Sequence, residues 1–318
     1  MKILGISVGR KMGNTEILIK EALIGAQELG AEVEFIRLHD LNLKPCTGCN
    51  ACVVDLLERA GSGSCVIKND DFKFIDEKIM ECDGLIVGSP IYEKSPSGLL
   101  KVLNDRMGPS HDLAFRTIAK QIRAEKGITT GVGPDERYFK PRAASLIAVG
   151  GSEWDTFALP LMHLFALPMQ MVVVDKLLVN WAGLPGVVAL KDDILKRARV
   201  SGRHVALTLT KDITEAEYIG KQGLCPICHS EVVEVKDGST TAKCGICGVK
   251  GTLNIVGGKL IFDIKEEDKA HSHVLLSGKF MHADELKKVS LKPPTNISEL
   301  PAKLEKYKKY LSYSKPVH

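Results

Sequence analysis

Two tight groups of cysteines are the residues best suited to chemistry in this 318-residue chain, and they hold eight of its nine cysteines. The first group has two three-residue intervals followed by a gap of twelve residues, and it consists of Cys46, Cys49, Cys52 and Cys65. The second group has two CxxC pairs with fifteen residues between them, and it consists of Cys225, Cys228, Cys244 and Cys247. In a reducing compartment, cysteines at such spacings are metal ligands or redox groups more often than disulfides. The chain is therefore predicted to have two metal or redox sites.

The first group has a CxxCxxC spacing, which lets three cysteines occupy three corners of a cuboidal iron-sulfur cluster while a distant fourth cysteine closes it. The segment LLERAGSGS before Cys65 is expected to be a flexible loop whose length does not prevent closure. The spacing therefore favours a [4Fe–4S] cluster. A zinc or cluster-free thiol loop and a redox disulfide are the alternatives.

The second group has a spacing typical of a zinc ribbon, in which each CxxC forms a knuckle and four thiolates surround one ion. Four thiolates equally hold a single rubredoxin-type iron. The short spacing and the lack of aromatic shielding favour zinc. Its expected role is structural, because a module of ~45 residues buries too little apolar surface to fold alone.

Five apolar segments alternate with amphipathic segments in the first two thirds of the chain. They are KILGISV, AEVEFIRL, DGLIVGSP, AASLIAVGG and MQMVVVDKLLV. Such alternation predicts an α/β fold with a parallel sheet covered on both faces by helices. Asn14 or Thr15 is expected to cap the first helix, and no element is predicted for the charged, Gly-rich stretch from about 110 to 140.

Three strand ends carry the residues expected to face a ligand, since ligands of open parallel sheets bind beyond the carboxyl ends of the strands. SVGRKMGNT, residues 7–15, leads into a helix N-terminus and suits a phosphate. It lacks the GxGxxG and GxxxxGK[ST] spacings, so a monophosphate fits better than a longer phosphate chain. A capped helix after a tight turn is the alternative interpretation.

The second and third strand ends have groups that suit a planar heterocycle. In the second, Pro90, Ile91 and Tyr92 end the strand and Ser95 lies near the start of the next helix. The third, VGGSEWDT, combines a glycine pair with Trp154.

Five motifs in order carry a family resemblance over about residues 1–210. They are SVGRKMGNTEIL, PCTGCNAC, CVIKNDDF, GSPIYEKSPSGLLKVLNDR and AVGGSEWDT. The chain resembles the flavodoxin-like NAD(P)H-dependent FMN reductases, and among them the iron-sulfur flavoproteins. The resemblance implies a doubly wound five-stranded parallel sheet and the [4Fe–4S] cluster in the loop after the second strand. It also implies assembly as a homodimer or homotetramer.

The resemblance further implies bound FMN, and the residues expected to contact it belong to the three loops. The phosphate is assigned to Ser7, Arg10, Met12, Gly13, Asn14 and Thr15. The ring is assigned to Pro90, Ile91, Tyr92, Ser95, Gly150, Gly151, Ser152, Trp154 and Asp155. Relatives often read GSPR where this chain has SVGR, so Val8 stands at the usual serine position and Ser7 replaces that serine only in part.

Three regions are expected. Residues 1–212 form the FMN-binding domain with the cysteine loop 44–65, residues 213–268 form the ribbon module, and residues 269–318 form a basic tail. The tail has ten lysines, no arginine and four acidic residues, a net charge of +6. Its final helix has a stripe of Leu300, Leu304, Tyr307 and Leu311. No RNA-binding motif or helix-turn-helix accompanies the charge, so nucleic acid is not an expected partner.

These features predict an FMN-dependent oxidoreductase in the cytoplasm, since no apolar run long enough for a membrane span and no signal-cleavage site is present. Electrons would pass from NAD(P)H or a ferredoxin-like carrier through FMN and the cluster to an acceptor such as a quinone or an organic molecule. No catalytic acid or base is assigned. The alternatives are a cluster-free flavin or quinone reductase, and a redox-sensing binding protein that uses the ribbon and the tail.

Overall fold

Five parallel strands form the central sheet of the computed structural model, which describes residues 1–291, 295–308 and 310. The first six strands of the chain are β1 (Lys2–Ser7), β2 (Glu32–Arg37), β3 (Gly84–Tyr92), β4 (Ser95–Pro96), β5 (Ala143–Val149) and β6 (Val172–Val179). The parallel strands lie in the order β2-β1-β3-β5-β6, and β4 pairs antiparallel with the end of β3. The predicted flavodoxin-like sheet is confirmed.

Helices cover both faces of this sheet, as the apolar strands require. They are α1 (Asn14–Gln27), α2 (Ala51–Leu57), α3 (Phe72–Glu81), α4 (Gly98–His111), α5 (Leu113–Glu125), α6 (Ala158–His163) and α7 (Asp192–Thr208). One apolar core contains buried side chains of α1 and α7, and a second contains those of α3, α4 and α6. Every residue of β5 is buried, because this strand has neighbours on both edges and helices on both faces.

Helices α1 and α7 approach each other closely through two glycines. A Cβ atom at Gly202 would lie 1.7 Å from the carbonyl oxygen of Ala22, and one at Gly25 would lie 2.1 Å from that of Arg199. The pair therefore packs backbone against backbone in the C-terminal half of α1.

Helices α5 and α2 are among those that lie where none was predicted. Helix α5 begins after Asp112, whose carboxylate accepts hydrogen bonds from the N–H groups of Ala114 and Phe115. The residues on its buried face are interspersed with charged residues in the sequence, so the amphipathic pattern was not recognised. Helix α2 lies within the cysteine region, which was expected to be a loop, and its Leu56 is fully buried.

A small antiparallel sheet follows the parallel one, as expected for the ribbon module. Its strands are β7 (Val233–Val235), β8 (Thr241–Cys244), β9 (Lys250–Val256) and β10 (Lys259–Asp263), in the order β10-β9-β8-β7. The β9–β10 turn is Gly257-Gly258, and both glycines have positive φ, which the primed two-residue hairpin turn requires. Helices α8 (Glu266–Lys269) and α9 (Leu276–Leu291) come next.

The chain divides into two compact units, Met1–Lys279 and Phe280–His318. Helix α10 (Leu300–Lys308) belongs to the second unit and carries Leu300, Leu304 and Tyr307 of the predicted stripe, all exposed. Leu311 lies outside the described residues. The domain boundaries at 212 and 268 stay predictions. No helix in the described part of the chain is long and apolar enough to cross a membrane.

Candidate functional site

The loop between β1 and α1 has the form of an anion site. Val8 donates its N–H to the carbonyl oxygen of Gly88 at 3.0 Å, and Gly13 donates to the carbonyl oxygen of Arg10 at 3.1 Å, which makes a tight turn. No side chain caps the first turn of α1, so the positive end of the helix is open to a ligand. Ser7 is fully buried and accepts the N–H of Gly9 at 3.2 Å, so it shapes the loop from beneath.

Asn14 ties this loop to the segment after β6. Its amide nitrogen donates to the carbonyl oxygens of Ala182 at 2.7 Å and Leu184 at 2.8 Å, and its oxygen accepts the N–H of Val188 at 3.2 Å. The prediction that Asn14 or Thr15 caps α1 is therefore wrong. The side-chain amide of Asn14 is occupied by these three hydrogen bonds to the segment after β6. The side chain of Thr15 is buried against Gly9.

Glu16 is a buried carboxylate beneath the loop, and two cations neutralise it. It accepts bonds from Lys20 at 2.6 Å and from Arg37 at 3.1 Å. Burial alone raises the pKa of Glu16, but these two partners and the N–H of Met12 outweigh burial, so the pKa is lowered. Because this negative charge is balanced locally, the exposed Arg10 and the helix N-terminus leave the loop attractive to an anion.

The second and third loops meet directly. Glu93 and Lys94 both have positive φ and form a two-residue turn between β3 and β4. The carbonyl oxygen of Lys94 accepts the N–H of Phe157 at 3.0 Å. The ammonium of Lys94 lies 5.4 Å from the centre of the Trp154 ring. The hairpin that presents Tyr92 and Ser95 is thus held against the loop after β5.

Gly150 lies where three loops converge. Its N–H donates to the carbonyl oxygen of Val179 at 2.8 Å, and its own carbonyl accepts the N–H of Ala182 at 2.9 Å. A Cβ atom here would lie 3.2 Å from Cδ1 of Ile91, so a larger residue would crowd the rim. A Cβ atom at Gly151 would lie 3.5 Å from the Cα atom of Gly183, so these two loops are also in contact.

Asn180 adds a polar group to this rim. Its amide nitrogen donates to the carboxylate of Asp155 at 2.5 Å, whereas its oxygen is buried and has no hydrogen-bond partner among the described residues. A buried acceptor without a donor is costly, and the imide N–H of an isoalloxazine ring is a donor of the right kind. The rim therefore fits a flavin.

Exposed aromatic side chains surround this rim. Tyr92 is 59% exposed, Trp154 59% and Trp181 64%. The segment from 180 to 188, which carries Asn180 and Trp181, was not among the predicted ligand loops. The signal was present as NWAGLPG, a tryptophan and two glycines directly after a strand. An apolar surface of this kind beside polar groups is typical of a ligand site.

The first cysteine group has backbone N–H groups aimed at its sulfur atoms. Gly48 donates to Sγ of Cys46 at 3.4 Å, and the N–H of Ala51 together with the hydroxyl of Thr47 lowers the pKa of Cys49. Gly48 and Asn50 have left-handed φ angles of 67° and 55°, which turn the chain between these cysteines. Donors placed in this way stabilise thiolates, so the loop fits an anionic metal centre.

Cys65 is brought back beside this loop by the fold of its spacer. After α2 the chain reverses, and Gly63 donates its N–H to the carboxylate of Asp55 at 2.9 Å. Burial raises the pKa of Cys52, and the thiols of Cys65 and Cys46 raise it further.

The four sulfurs of this first group are spaced more widely than those around a single ion. Among all described residues, only the second cysteine group brings three or more such ligand atoms within 4.8 Å of one another. A four-iron cube holds its cysteines at separate corners and needs the wider spacing. The first group is therefore not a compact single-ion site.

The second cysteine group is a compact four-sulfur site. The sulfurs of Cys225 and Cys247 are 3.7 Å apart, those of Cys228 and Cys244 are 3.5 Å apart, and all four residues are buried. The pKa values of Cys244 and Cys247 are lowered because their thiolates accept hydrogen bonds from the other two thiols. Four soft donors at this spacing fit one tetrahedral ion.

A buried lysine of the sheet lies next to this site. Lys176 on β6 donates to the carbonyl oxygens of Cys228 at 2.7 Å and His229 at 3.4 Å. Burial lowers the pKa of Lys176, and the nearby thiolates oppose that shift. Because four thiolates around a divalent ion leave a negative net charge, the ammonium offsets part of it.

The comparisons with known proteins agree with this geometry. The family model of NADPH-dependent FMN reductase matches residues 1–183. A flavone synthase of Aspergillus candidus is 31% identical over 297 residues, 90% of this chain and 88% of that protein. An iron-sulfur flavoprotein of Methanocaldococcus jannaschii is 42% identical over 134 residues, 42% of this chain and 62% of that protein.

A solved structure resembles the whole chain. A flavone reductase superposes with a TM-score of 0.85 at 34% identity and covers 100% of both chains. The likeness therefore includes the ribbon module as well as the sheet. The predicted flavin enzyme is confirmed: the chain belongs to the NADPH-dependent FMN reductase family and is a flavin-dependent oxidoreductase.

Proposed function

We propose that this enzyme transfers a hydride equivalent from NAD(P)H to a planar aromatic molecule that has a carbon–carbon double bond conjugated to a carbonyl. The exposed aromatic surface of Tyr92, Trp154 and Trp181 carries the proposal, since a surface of this kind suits a flat substrate. The full-length likeness to a flavone reductase supports the same class of acceptor. The net change adds a hydride to one alkene carbon and a proton to the other, and NAD(P)H becomes NAD(P)⁺.

The cofactor in this proposal is FMN, held by the three loops at the carboxyl ends of the strands. Arg10 and the backbone N–H groups up to Thr15 would bind the phosphate, while Asn14 holds the loop in shape. Pro90 to Tyr92 and Gly150 to Asp155 would border the ring. When bound, FMN accepts a hydride from a nicotinamide and returns it to a second substrate.

The aromatic side chains would orient the acceptor. A flat molecule stacked on Trp154 would place its carbonyl or phenolate near the ammonium of Lys94, which lies over the same ring. This charge would favour electron density on the carbonyl oxygen as the hydride arrives. Tyr92, at the tip of the β3–β4 hairpin, would close the other side of the substrate.

The test uses the full-length, FMN-loaded protein in the absence of air, with NADPH and a flavone. We expect NADPH consumption to match, mole for mole, a product whose double bond is saturated, identified by mass spectrometry. NADPH oxidation that proceeds when a quinone is added but leaves the flavone unchanged would instead support a flavin or quinone reductase.

A second proposal concerns one-electron chemistry at the first cysteine group. We propose that Cys46, Cys49, Cys52 and Cys65 bind a [4Fe–4S] cluster, because N–H donors face the sulfurs and the spacing exceeds that of a single-ion site. A cluster would let electrons leave singly, toward a ferredoxin-like carrier. Iron and acid-labile sulfide analysis of anaerobically purified protein tests this: about four irons per chain beyond the ribbon metal support it, and none contradicts it.

The ribbon metal and the assembly complete the proposal. Zinc in the Cys225 to Cys247 site would stabilise the module, and a rubredoxin-type iron is the alternative, so a visible spectrum with metal analysis distinguishes the two. A homodimer or homotetramer in the cytoplasm is proposed from the family resemblance. Light scattering of the FMN-loaded protein measures the assembly.

A further inference from the structure

Two buried arginines lie directly beneath the first cysteine group. Arg106 on α4 is 3% exposed and Arg116 on α5 is 1% exposed. Both reach the cysteine segment: Arg106 donates to the carbonyl oxygen of Lys44 at 2.8 Å, and Arg116 donates to that of Ser62 at 3.2 Å. Full burial of a guanidinium is rare unless an anion balances it.

Arg106 has a carboxylate partner and also touches the cysteines. Its guanidinium forms an ion pair with Asp70, which is itself buried, and packs 4.3 Å from the centre of the Phe72 ring. The thiol of Cys65 interacts with the same guanidinium. Asp70 therefore balances the charge, while one side of Arg106 faces the cysteine group.

Arg116 has no such partner. Its guanidinium lies 3.2 Å from the centre of the Tyr138 ring, and its Nε is buried without a hydrogen-bond acceptor in the described part of the chain. No carboxylate lies within ion-pair distance of it among the described residues, and Asp76 and Asp135 act only from farther away. Cys52 is among the groups that interact with it electrostatically. The fold thus holds an unbalanced positive charge next to the cysteine loop.

We propose that Arg116, assisted by Arg106, provides the positive charge that balances an iron-sulfur cluster on Cys46, Cys49, Cys52 and Cys65, and thereby raises its reduction potential. This inference rests on the cluster proposed above. Adding one electron to a cysteine-bound cluster adds one negative charge and requires no proton. A fixed buried cation stabilises the more negative form, so its removal must make reduction harder.

Arg142 is a matched control because it is another fully buried arginine without a carboxylate. Its guanidinium donates to four carbonyl oxygens, those of Ile79, Met80, Arg137 and Lys140. These carbonyl oxygens compensate the charge of Arg142 within the fold. None of these four acceptors belongs to the cysteine loop 44–65. Substitution of Arg142 should therefore affect the stability of the fold and leave the cluster unchanged.

The experiment compares anaerobic reductive titrations of the FMN-loaded full chain and its Arg116→Gln, Arg116→Lys and Arg142→Gln variants, followed by absorbance and electron paramagnetic resonance. For Arg116→Gln we expect at least a tenfold shift of the one-electron equilibrium toward the oxidised cluster, equivalent to about 59 mV. Arg116→Lys keeps the charge and should restore most of the potential, and Arg142→Gln should match the wild type.

Each other outcome also decides the inference. A wild-type potential in Arg116→Gln with full iron content overturns it, as does an equal shift in Arg142→Gln. Loss of the cluster from Arg116→Gln but not from Arg142→Gln supports it. If Arg116→Gln does not fold, Arg116→Met, whose stem can pack on Tyr138, replaces it. A wild type that lacks iron overturns the cluster and this inference together, while flavone reduction remains an independent readout of the hydride-transfer proposal.

Discussion

The ammonium of Lys176, on the edge strand of the parallel sheet, donates a 2.7 Å hydrogen bond to the carbonyl oxygen of Cys228 in the ribbon. This bond joins two modules of the first compact unit, because Lys176 belongs to β6 and Cys228 to the first CxxC knuckle. Next to it, the Tyr218 and His229 rings stack 3.8 Å apart at 8°. The ribbon is thus held against the edge of the flavin-binding sheet.

We expect Lys176→Met to loosen the ribbon site. The substitution leaves the carbonyl oxygen of Cys228 buried without its donor, which costs about 1–3 kcal/mol of unfolding free energy. The rate at which a chelator removes the ribbon metal should rise accordingly. Lys250→Met, at an exposed position on β9, serves as the control and should leave that rate unchanged. Equal release rates in all three proteins would contradict the role of Lys176.

Removal of the ribbon metal should unfold the small sheet and leave the parallel sheet intact. The apolar core of the module is small, and its four cysteines form much of it. Without an ion, four buried thiolates repel one another, so the module loses its main source of stability. Hydrogen exchange with mass spectrometry should show loss of protection confined to about residues 222–263. Loss of protection that extends to β1 and β3 would contradict this prediction.

Arg10→Gln should weaken FMN binding through the phosphate alone. A hydrogen bond to a charged group contributes about 1.5–3 kcal/mol, so the Kd for FMN should rise about tenfold to a hundredfold. The Kd for riboflavin, which lacks the phosphate, should not change. Flavin fluorescence titrations measure both. Lys11→Gln, at the exposed neighbouring position, is the matched control. A similar loss of affinity for both flavins would show that Arg10 acts on the ring or on the fold.

Trp154→Ala should weaken binding of the planar acceptor while hydride uptake from NADPH persists. An aromatic contact contributes about 0.5–1.5 kcal/mol, so the KM for a flavone should rise about twofold to tenfold. The steady-state rate with a small quinone should change little. Phe74→Ala removes an exposed aromatic residue on α3 and is the control. Equal effects on flavone and quinone kinetics would argue against an aromatic surface for the acceptor.

Glu16→Gln should destabilise the protein near neutral pH, and the difference should shrink in acid. The folded protein lowers the pKa of Glu16 below its ordinary value of 4.5. The unfolded chain therefore binds the proton more readily, so the ion pair stabilises the fold above about pH 4.5 and this contribution is lost as pH falls through the lower folded pKa. Because Lys20 is half-exposed and Arg37 keeps its pair with Asp40, the loss of Glu16 should cost about 1.5–3 kcal/mol.

Urea unfolding at several pH values measures this effect. Glu21→Gln, which removes the partner of Arg199 on the more exposed side of α1, should cost less than about 1 kcal/mol. A difference between wild type and Glu16→Gln that stays constant from pH 7 to pH 3 would contradict the linkage.

Local pattern was sufficient to predict several parts of this protein. The five parallel strands were readable because each is a short apolar run, which a sheet covered on both faces requires. The ribbon was readable because the CxxC spacing is itself the geometry of a metal knuckle. The stretches 7–15, 88–106 and 149–156, predicted to face a ligand, could be placed at one edge of the sheet because the order of strands and helices puts their strand ends there.

Long-range contacts decided the rest. Asn14 could be a helix cap by its position, and only the fold puts the carbonyl oxygen of Ala182, 168 residues away, within its reach. The segment after β6 lies at the site for the same reason, because Ala182 contacts Asn14 and Gly150 only in the folded chain. Arg116 looked like one charge among many in a polar stretch, whereas the packing of α5 buries it beside the cysteines.

The cysteine group shows both kinds of information in one stretch of chain. The three-residue spacing of Cys46, Cys49 and Cys52 follows from sequence alone, because one short loop can direct all three sulfurs to one centre. The position of Cys65 depended on how the spacer folds. Helix α2 and the bond from Gly63 to Asp55 turn the chain back and bring the fourth thiol toward Cys52. That reversal depends on tertiary packing, since Leu56 of α2 is fully buried and lies against Gly63 at the turn.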